Sequence, residues 1–256
     1  MEYKITFEDG SEAYLAHHGV KGMKWGVWNE ETRARYSNAV YPNGIMPKGT
    51  RLSRISRESP SKTYKHDPLS GDIKYVSTNY ADTDKWLSYF LNAEVSGGLK
   101  VNKSILYETV SDIKVAKAAE VGKLYVDQVL SSNKHTKKEA ESFYKETAGR
   151  KGGPLENVSL KDALDENKVG KDTSESMKMI LGSKAIKEVD SENSQSGKKL
   201  VEALSKKGYG AVQDALGWNV STDPLIVLNP KQNLKPIERL DRIKTDKGFD
   251  WKRTKY

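Results

Sequence analysis

The sequence contains no cysteine, which excludes disulfide bonds, thiolate metal ligands and cysteine nucleophiles. Only four of its 256 residues are histidine, so we expect no metal site. Hydrophobic residues make up 36% of the chain, and no run approaches the roughly 20 consecutive apolar residues of a membrane-spanning helix. The first residues alternate apolar and polar side chains, whereas a signal peptide needs a continuous apolar stretch. We therefore expect a protein without a membrane partner.

The chain is rich in charge, and the charge is mixed. Lys and Arg number 43 against 35 Asp and Glu, which gives a net charge of +8. A basic excess favours non-specific contact with nucleic acid. The basic residues are spread along the chain among acidic ones, which is more typical of a solvated surface than of a dedicated binding stripe. Nucleic-acid contact therefore stays an alternative.

The pattern of turn residues divides the chain into three parts. Strand-like segments at 3–7 and 12–15 flank an Asp-Gly step, which predicts a β-hairpin. A helix is predicted from Asn29, and a turn-rich connector follows it. The predicted division is an N-terminal arm over residues 1–46, a main domain over 47–236 and a basic tail over 237–256, which we expect to be only partly ordered.

The main domain begins with β-type patterns and continues with helical ones. A helix is predicted from Asp82, and residues 116–207 read as a stretch of short helices. Strand patterns occur at 50–56, 73–79, 104–110, 211–212 and 224–228. The predicted fold class is therefore α+β: an N-terminal hairpin arm followed by a mixed β domain with several short helices.

The segment 17–27, His-His-Gly-Val-Lys-Gly-Met-Lys-Trp-Gly-Val, has the composition of a docking peptide. Its three glycines allow close backbone approach, and its bulky side chains can act as anchors in a groove. An ordinary loop over the domain edge is the alternative. Adjacent histidines in an extended chain point to opposite sides, which argues against a shared metal. The predicted docking residues are His17, His18, Val20, Met23, Trp25 and Val27.

This segment is nearly identical to an undecapeptide of phage and prophage proteins, several of which are described as structural or head-associated. The resemblance covers about a dozen residues. It implies a viral origin and does not state a function. Since the sequence has neither a signal peptide nor a spanning segment, we expect synthesis in the host bacterial cytoplasm before assembly into the virion. From the composition of the segment we expect docking to other phage structural proteins through the arm.

A second pattern lies in the main domain. Arg54 is on an early strand, Ser77-Thr78 ends a second strand, and Asp223 leads into a late strand. This order resembles the arginine, Ser-Thr-Ser and glutamate elements of mono-ADP-ribosyltransferases. The resemblance implies an α+β domain of that family over residues 47–236, with NAD as cofactor and no metal.

The same resemblance implies a role for each residue. Arg54 grips the NAD phosphates, for which its planar fork is suited. Ser77 and Thr78 take the Ser-Thr role, in which the serine helps to orient the nicotinamide ribose. Asp223 is the acid that stabilises an oxocarbenium-like transition state. Tyr75 and Trp86 are predicted aromatic walls of the NAD site.

The sequence also departs from the family pattern. Asn79 replaces the last serine, and Asp223 is one methylene shorter than glutamate. Asp214 is an alternative acid, although it is equally explained as a turn residue. Taken singly, Arg54 or Ser77 has an ordinary structural explanation, so only the joint order supports a site.

Three functions follow from these patterns. The leading interpretation is a virion-associated head or minor structural protein with a catalytically degraded ADP-ribosyltransferase-like domain. The first alternative is an active NAD-dependent mono-ADP-ribosyltransferase whose acceptor is a host protein. The second alternative is a purely structural capsid or tail component beside packaged DNA.

Overall fold

The computed structural model describes residues 3–6, 12–15, 44–57, 69, 71–77, 101–189, 194–214, 224–245 and 248–256. The predicted helices from Asn29 and Asp82 lie outside these residues. The strands are β1 (Tyr3–Thr6), β2 (Glu12–Leu15), β3 (Ile45–Met46), β4 (Arg51–Arg57), β5 (Ile73–Ser77), β6 (Val101–Thr109), β7 (Ile113–Ala116), β8 (Tyr209–Gln213), β9 (Pro224–Leu228), β10 (Leu234–Thr245) and β11 (Gly248–Lys255).

The helices that the structure describes follow β7 in one block, apart from a short one after β9. They are α1 (Ala118–Leu124), a π-helix (Tyr125–Leu130), α2 (Lys134–Glu146), α3 (Leu160–Ala163), α4 (Glu166–Val169), α5 (Lys171–Lys187), α6 (Gln195–Lys206) and α7 (Pro230–Asn233). The fold is α+β with several short helices, as the sequence predicts.

Over the described residues, the main sheet consists of two half-sheets that meet where β4 and β5 pair. Its order is β11-β10-β6-β4-β5-β9-β8-β7-β3, and all neighbours are antiparallel except β7 and β8. Among the described residues, β4 and β5 share one residue pair, Ser53 with Ser77, whereas β4 pairs with β6 along its length. The half-sheets are therefore β11-β10-β6-β4 and β5-β9-β8-β7-β3. Strands β1 and β2 pair separately.

Two hydrophobic cores hold the domain together. The shared core takes side chains from both half-sheets, with Leu52 of β4, Tyr107 of β6 and Val227 of β9 among its fully buried members. The helix core packs the helices on the second half-sheet, which contributes Ile226 and Leu228. Because neighbouring residues of β9 alternate between the two cores, this strand is buried on both faces.

Helix α5 is the centre of the helical layer. Most of its residues are buried, which explains why it has no clear polar face. Gly122 of α1 crosses it so closely that a Cβ atom would stand 2.6 Å from the Met179 backbone nitrogen. Gly197 of α6 has a similar contact, 2.4 Å from the Ala185 carbonyl oxygen. Only glycine permits these two backbone approaches.

Helix α6 is fixed to α2 through its first turn. Glu139 accepts hydrogen bonds of 2.9 Å from the backbone N–H groups of Gln195 and Ser196, and His135 lies 2.9 Å from its carboxylate. Partial burial opposes ionisation of Glu139, but these donors outweigh it and hold its pKa below the ordinary value. Burial, together with the nearby Glu139 carboxylate, raises the pKa of Tyr125 to about 12.

The C-terminal residues differ from the expectation of a partly ordered tail. Strand β10 runs through the predicted boundary at 236–237, and it pairs with both β6 and β11. Residues 238–245 carry many charges, and for this reason the sequence does not show the strand pattern. An edge hairpin tolerates such side chains because one side of it borders solvent.

Candidate functional site

The three strands that carry the predicted ADP-ribosyltransferase elements lie side by side. In the sheet order, β5 has β4 on one side and β9 on the other. The last residue of β5, Ser77, is opposite Ser53 of β4 and also opposite Pro224 of β9. More than 140 residues of sequence separate β5 from β9, so this contact is not dictated by chain proximity. We call this meeting point of β4, β5 and β9 the sheet junction.

Arg54 lies on the shared-core face of the junction. Leu52, two residues earlier on β4, is on the same face of the strand and belongs to the shared core. The Arg54 side chain itself is half-buried. On β5 the same face carries Val76, which is in the shared core, and Lys74, which is 8% exposed. The sequence gives no sign that Lys74 is buried, because nothing in the local pattern distinguishes it from a solvated lysine. The junction thus has two cations on one face.

Tyr75 lies on the opposite face of β5 from this pair of cations. Its ring packs against the helix core, and the Lys187 ammonium lies 5.5 Å from the ring centroid. The structure therefore brings Tyr75 near the end of α5 and does not bring it to the face of Arg54.

Asp214 follows β8 directly and is almost completely buried, with 2% of its side chain exposed. Its carboxylate lies 2.8 Å from the Lys187 ammonium, which is itself 24% exposed. The pair links the end of α5 to the end of β8. The sequence indicates Asp214 as an alternative acid but gives no sign of Lys187. The two residues are 27 positions apart, and no local pattern connects them.

The remaining predicted site residues lie outside the described residues. Thr78 and Asp223 are the sequence neighbours of Ser77 and Pro224, which pair across β5 and β9. For Ser77 the structure describes the backbone position only. Trp86 is not described, and neither are the predicted docking residues His17, His18, Val20, Met23, Trp25 and Val27.

Among the described residues, no three His, Asp or Glu side chains come together as ligands for a metal ion. None of the described helices combines the length and apolar character needed to cross a membrane.

A similarity to a known protein family lies at the N-terminal end of the chain. No curated protein and no solved structure is significantly similar to the chain. A model described as a family of unknown function, DUF7211, matches residues 8–30. The match includes the glycine-rich segment 17–27, and over these residues the chain is similar to that family.

Proposed function

We propose that this chain is a phage virion-associated protein whose main domain binds NAD in the manner of a mono-ADP-ribosyltransferase, with reduced catalytic power. The observation that carries the proposal is the sheet junction. Strand β4, which carries Arg54, is the neighbour of β5, which carries Ser77. Strand β9, which begins directly after Asp223, pairs with β5. The adjacency of these strands and the charges on the face of Arg54 carry the proposal. Strand alternation puts position 77 on the opposite face, with Tyr75, so Ser77 is not assigned a contact on the Arg54 face.

The charges at the junction suit a dinucleotide. NAD carries two linked phosphates, and Arg54 and Lys74 provide two cations on the same face. An arginine can bind phosphate oxygens through two parallel hydrogen bonds, whereas a lysine acts as a point charge. The half-buried setting of Arg54 strengthens such contacts because water screens them less.

Of the two candidate acids, Asp223 fits this site better than Asp214. The Asp214 carboxylate is buried against Lys187, on the side of the sheet that faces the helices. Asp223 is joined directly to Pro224, which is opposite Ser77. We therefore assign the acid role to Asp223 and a structural role to Asp214.

Binding of NAD tests the proposal through Arg54. We expect the full-length protein to bind NAD in isothermal titration calorimetry, and we expect Arg54→Ala to weaken binding at least tenfold, since it removes a charge-assisted contact. Arg51→Ala is the matched control. Arg51 is on the same strand and exposed, and the alternation of β4 puts it on the other face.

Two results would contradict the NAD proposal. One is the absence of NAD binding by the folded wild-type protein. The other is an equal loss of affinity in Arg54→Ala and Arg51→Ala, which would reveal a general charge effect and no defined site.

The N-terminal segment is proposed to anchor the protein in the particle. We expect replacement of residues 17–27 by a Gly-Ser linker of equal length to remove most of the protein from purified virions, as measured by mass spectrometry. The reason is the loss of four apolar anchors, Val20, Met23, Trp25 and Val27. Exchange of Lys21 and Lys24 for glutamine, which retains those anchors, is the control. Undiminished incorporation of the linker variant would remove this role.

A further inference from the structure

A cavity of about 390 Å³ lies between the π-helix and α6. Its lining includes the buried Val129 of the π-helix and Ala203 of α6, and its rim carries the lysines 199, 206 and 207. We call it the lysine groove. Its volume is within the range of small-ligand sites. A π-turn inside a helix is rare and occurs frequently at functional sites.

The lysine groove carries an excess of positive charge. The one carboxylate among its described lining residues, Glu202, is already paired with the Lys206 ammonium at 2.7 Å. The Lys199 ammonium donates to the neutral Ser132 hydroxyl at 3.1 Å. Among the residues that the structure describes, neither Lys199 nor Lys207 has an ion-pair partner. Two ammonium groups are thus available to an anion, whereas the Ser132 hydroxyl already donates to the Val129 carbonyl oxygen at 2.7 Å.

Further positive charge lies beside the Lys207 end of the groove. The Lys114 ammonium donates to the Lys207 carbonyl oxygen at 3.4 Å and lies 4.3 Å from the centre of the Tyr209 ring. These contacts hold Lys114 close to the rim. A ligand with several negative charges would therefore meet more cations than the lining alone supplies.

We propose that the lysine groove binds a compact diphosphate group. Two unpaired ammonium groups match an anion with at least two charges, and the concave shape favours a small ligand over an extended strand. None of the described lining residues is aromatic, so this part of the lining does not supply the stacking platform typical of single-stranded nucleic-acid sites. The groove is separate from the sheet junction, and the proposal does not depend on NAD binding there.

Calorimetric titration of the full-length protein with inorganic pyrophosphate tests this site. We expect saturable binding with one pyrophosphate per chain, and a loss of affinity of about tenfold in the double variant Lys199→Gln/Lys207→Gln. The control is Lys161→Gln/Lys168→Gln, which removes the same charge from exposed positions outside the groove. We expect the control to keep its affinity within about twofold, as only the distant field changes.

Other ligands and variants separate this site from the sheet junction. Arg54→Ala should bind pyrophosphate like the wild type, and the groove double variant should still bind NAD. A nucleoside diphosphate should compete with pyrophosphate if the diphosphate is recognised as part of a nucleotide. The proposal is overturned if pyrophosphate does not bind, if both double variants lose affinity equally, or if the groove variant loses only binding of a single-stranded oligonucleotide.

Discussion

Asp223→Glu is expected to raise the rate of NAD glycohydrolysis by roughly a hundredfold over the wild-type protein. The expectation rests on the proposed role of this residue as the acid of the NAD site. A carboxylate that is one methylene too short stands about 1 Å from the position where positive charge develops on the ribose. Displacement of a catalytic group by that distance costs on the order of a hundredfold in rate. Release of nicotinamide from labelled NAD measures the change.

Two further variants make this result specific. Asp223→Asn keeps the size of the side chain and removes its charge. We therefore expect its rate of NAD glycohydrolysis to be no higher than that of the wild-type protein. Asp241→Glu makes the same lengthening on β10, where the carboxylate pairs with Arg239 at 2.8 Å, and should leave the rate unchanged. If neither substitution at position 223 alters turnover, Asp223 is not the acid of this domain.

The gain in rate would also decide between the two enzymatic interpretations. A catalytically degraded domain has a low wild-type rate that the longer acid restores. An active transferase has a substantial wild-type rate, and glutamate would add little to it. Measuring nicotinamide release together with label transfer to host proteins in a bacterial lysate separates hydrolysis from transfer, because a transferase delivers ADP-ribose to an acceptor.

The strands around the junction could be predicted from the sequence because each has a local signal. Strand β9 was predicted with its observed bounds, since a short apolar run is enclosed by Asp223-Pro224 and Asn229-Pro230. Strand β4 lies one residue from its predicted position, and β5 (Ile73–Ser77) lies within the predicted strand 73–79, whose last two residues are outside the described part of the chain. The order of strands in the sheet has no local signal. The expectation that these three strands are neighbours depends on the resemblance of Arg54, Ser77 and Asp223 to the ADP-ribosyltransferase elements.

Other features depend on tertiary contacts that no short window reveals. The helical pattern over 118–130 predicts one helix, but its second half is a π-helix packed against α5 and α6. Strand β7 has only four residues and was not predicted, because its pairing with β3 and β8 specifies it. Lys74 looks like a solvated lysine in sequence. Its burial results from its place between β4 and β9.

Lys187→Met is expected to lower the free energy of unfolding by about 3 kcal/mol or more, the largest stability effect we predict. The substitution keeps a flexible side chain of similar length but leaves the buried Asp214 carboxylate without the ammonium that lies 2.8 Å from it. The contact of that ammonium with the Tyr75 ring is lost as well. Urea unfolding of the wild type and the variant measures the difference.

Lys184→Met is the matched control, because it makes the same exchange one turn earlier on α5. Lys184 is about as exposed as Lys187, at 21%, but its partners Glu146 and Glu188 are 52% and 40% exposed, at 3.5 Å each. Solvent screens those pairs, so we expect a loss below about 1 kcal/mol. Equal losses in the two variants would show that burial of Asp214 does not decide the effect.

The double variant Lys187→Met/Asp214→Asn isolates the cause. Removing the charge of Asp214 removes the buried carboxylate that has lost its ammonium partner, so we expect the double variant to recover much of the stability that Lys187→Met loses. It should also retain NAD binding, because the proposed acid is Asp223 and the pair lies on the helix side of the sheet. The double variant could instead unfold at the same urea concentration as the wild type and yet lose affinity for NAD. That result would refute a purely structural role for Asp214 and assign it to the NAD site.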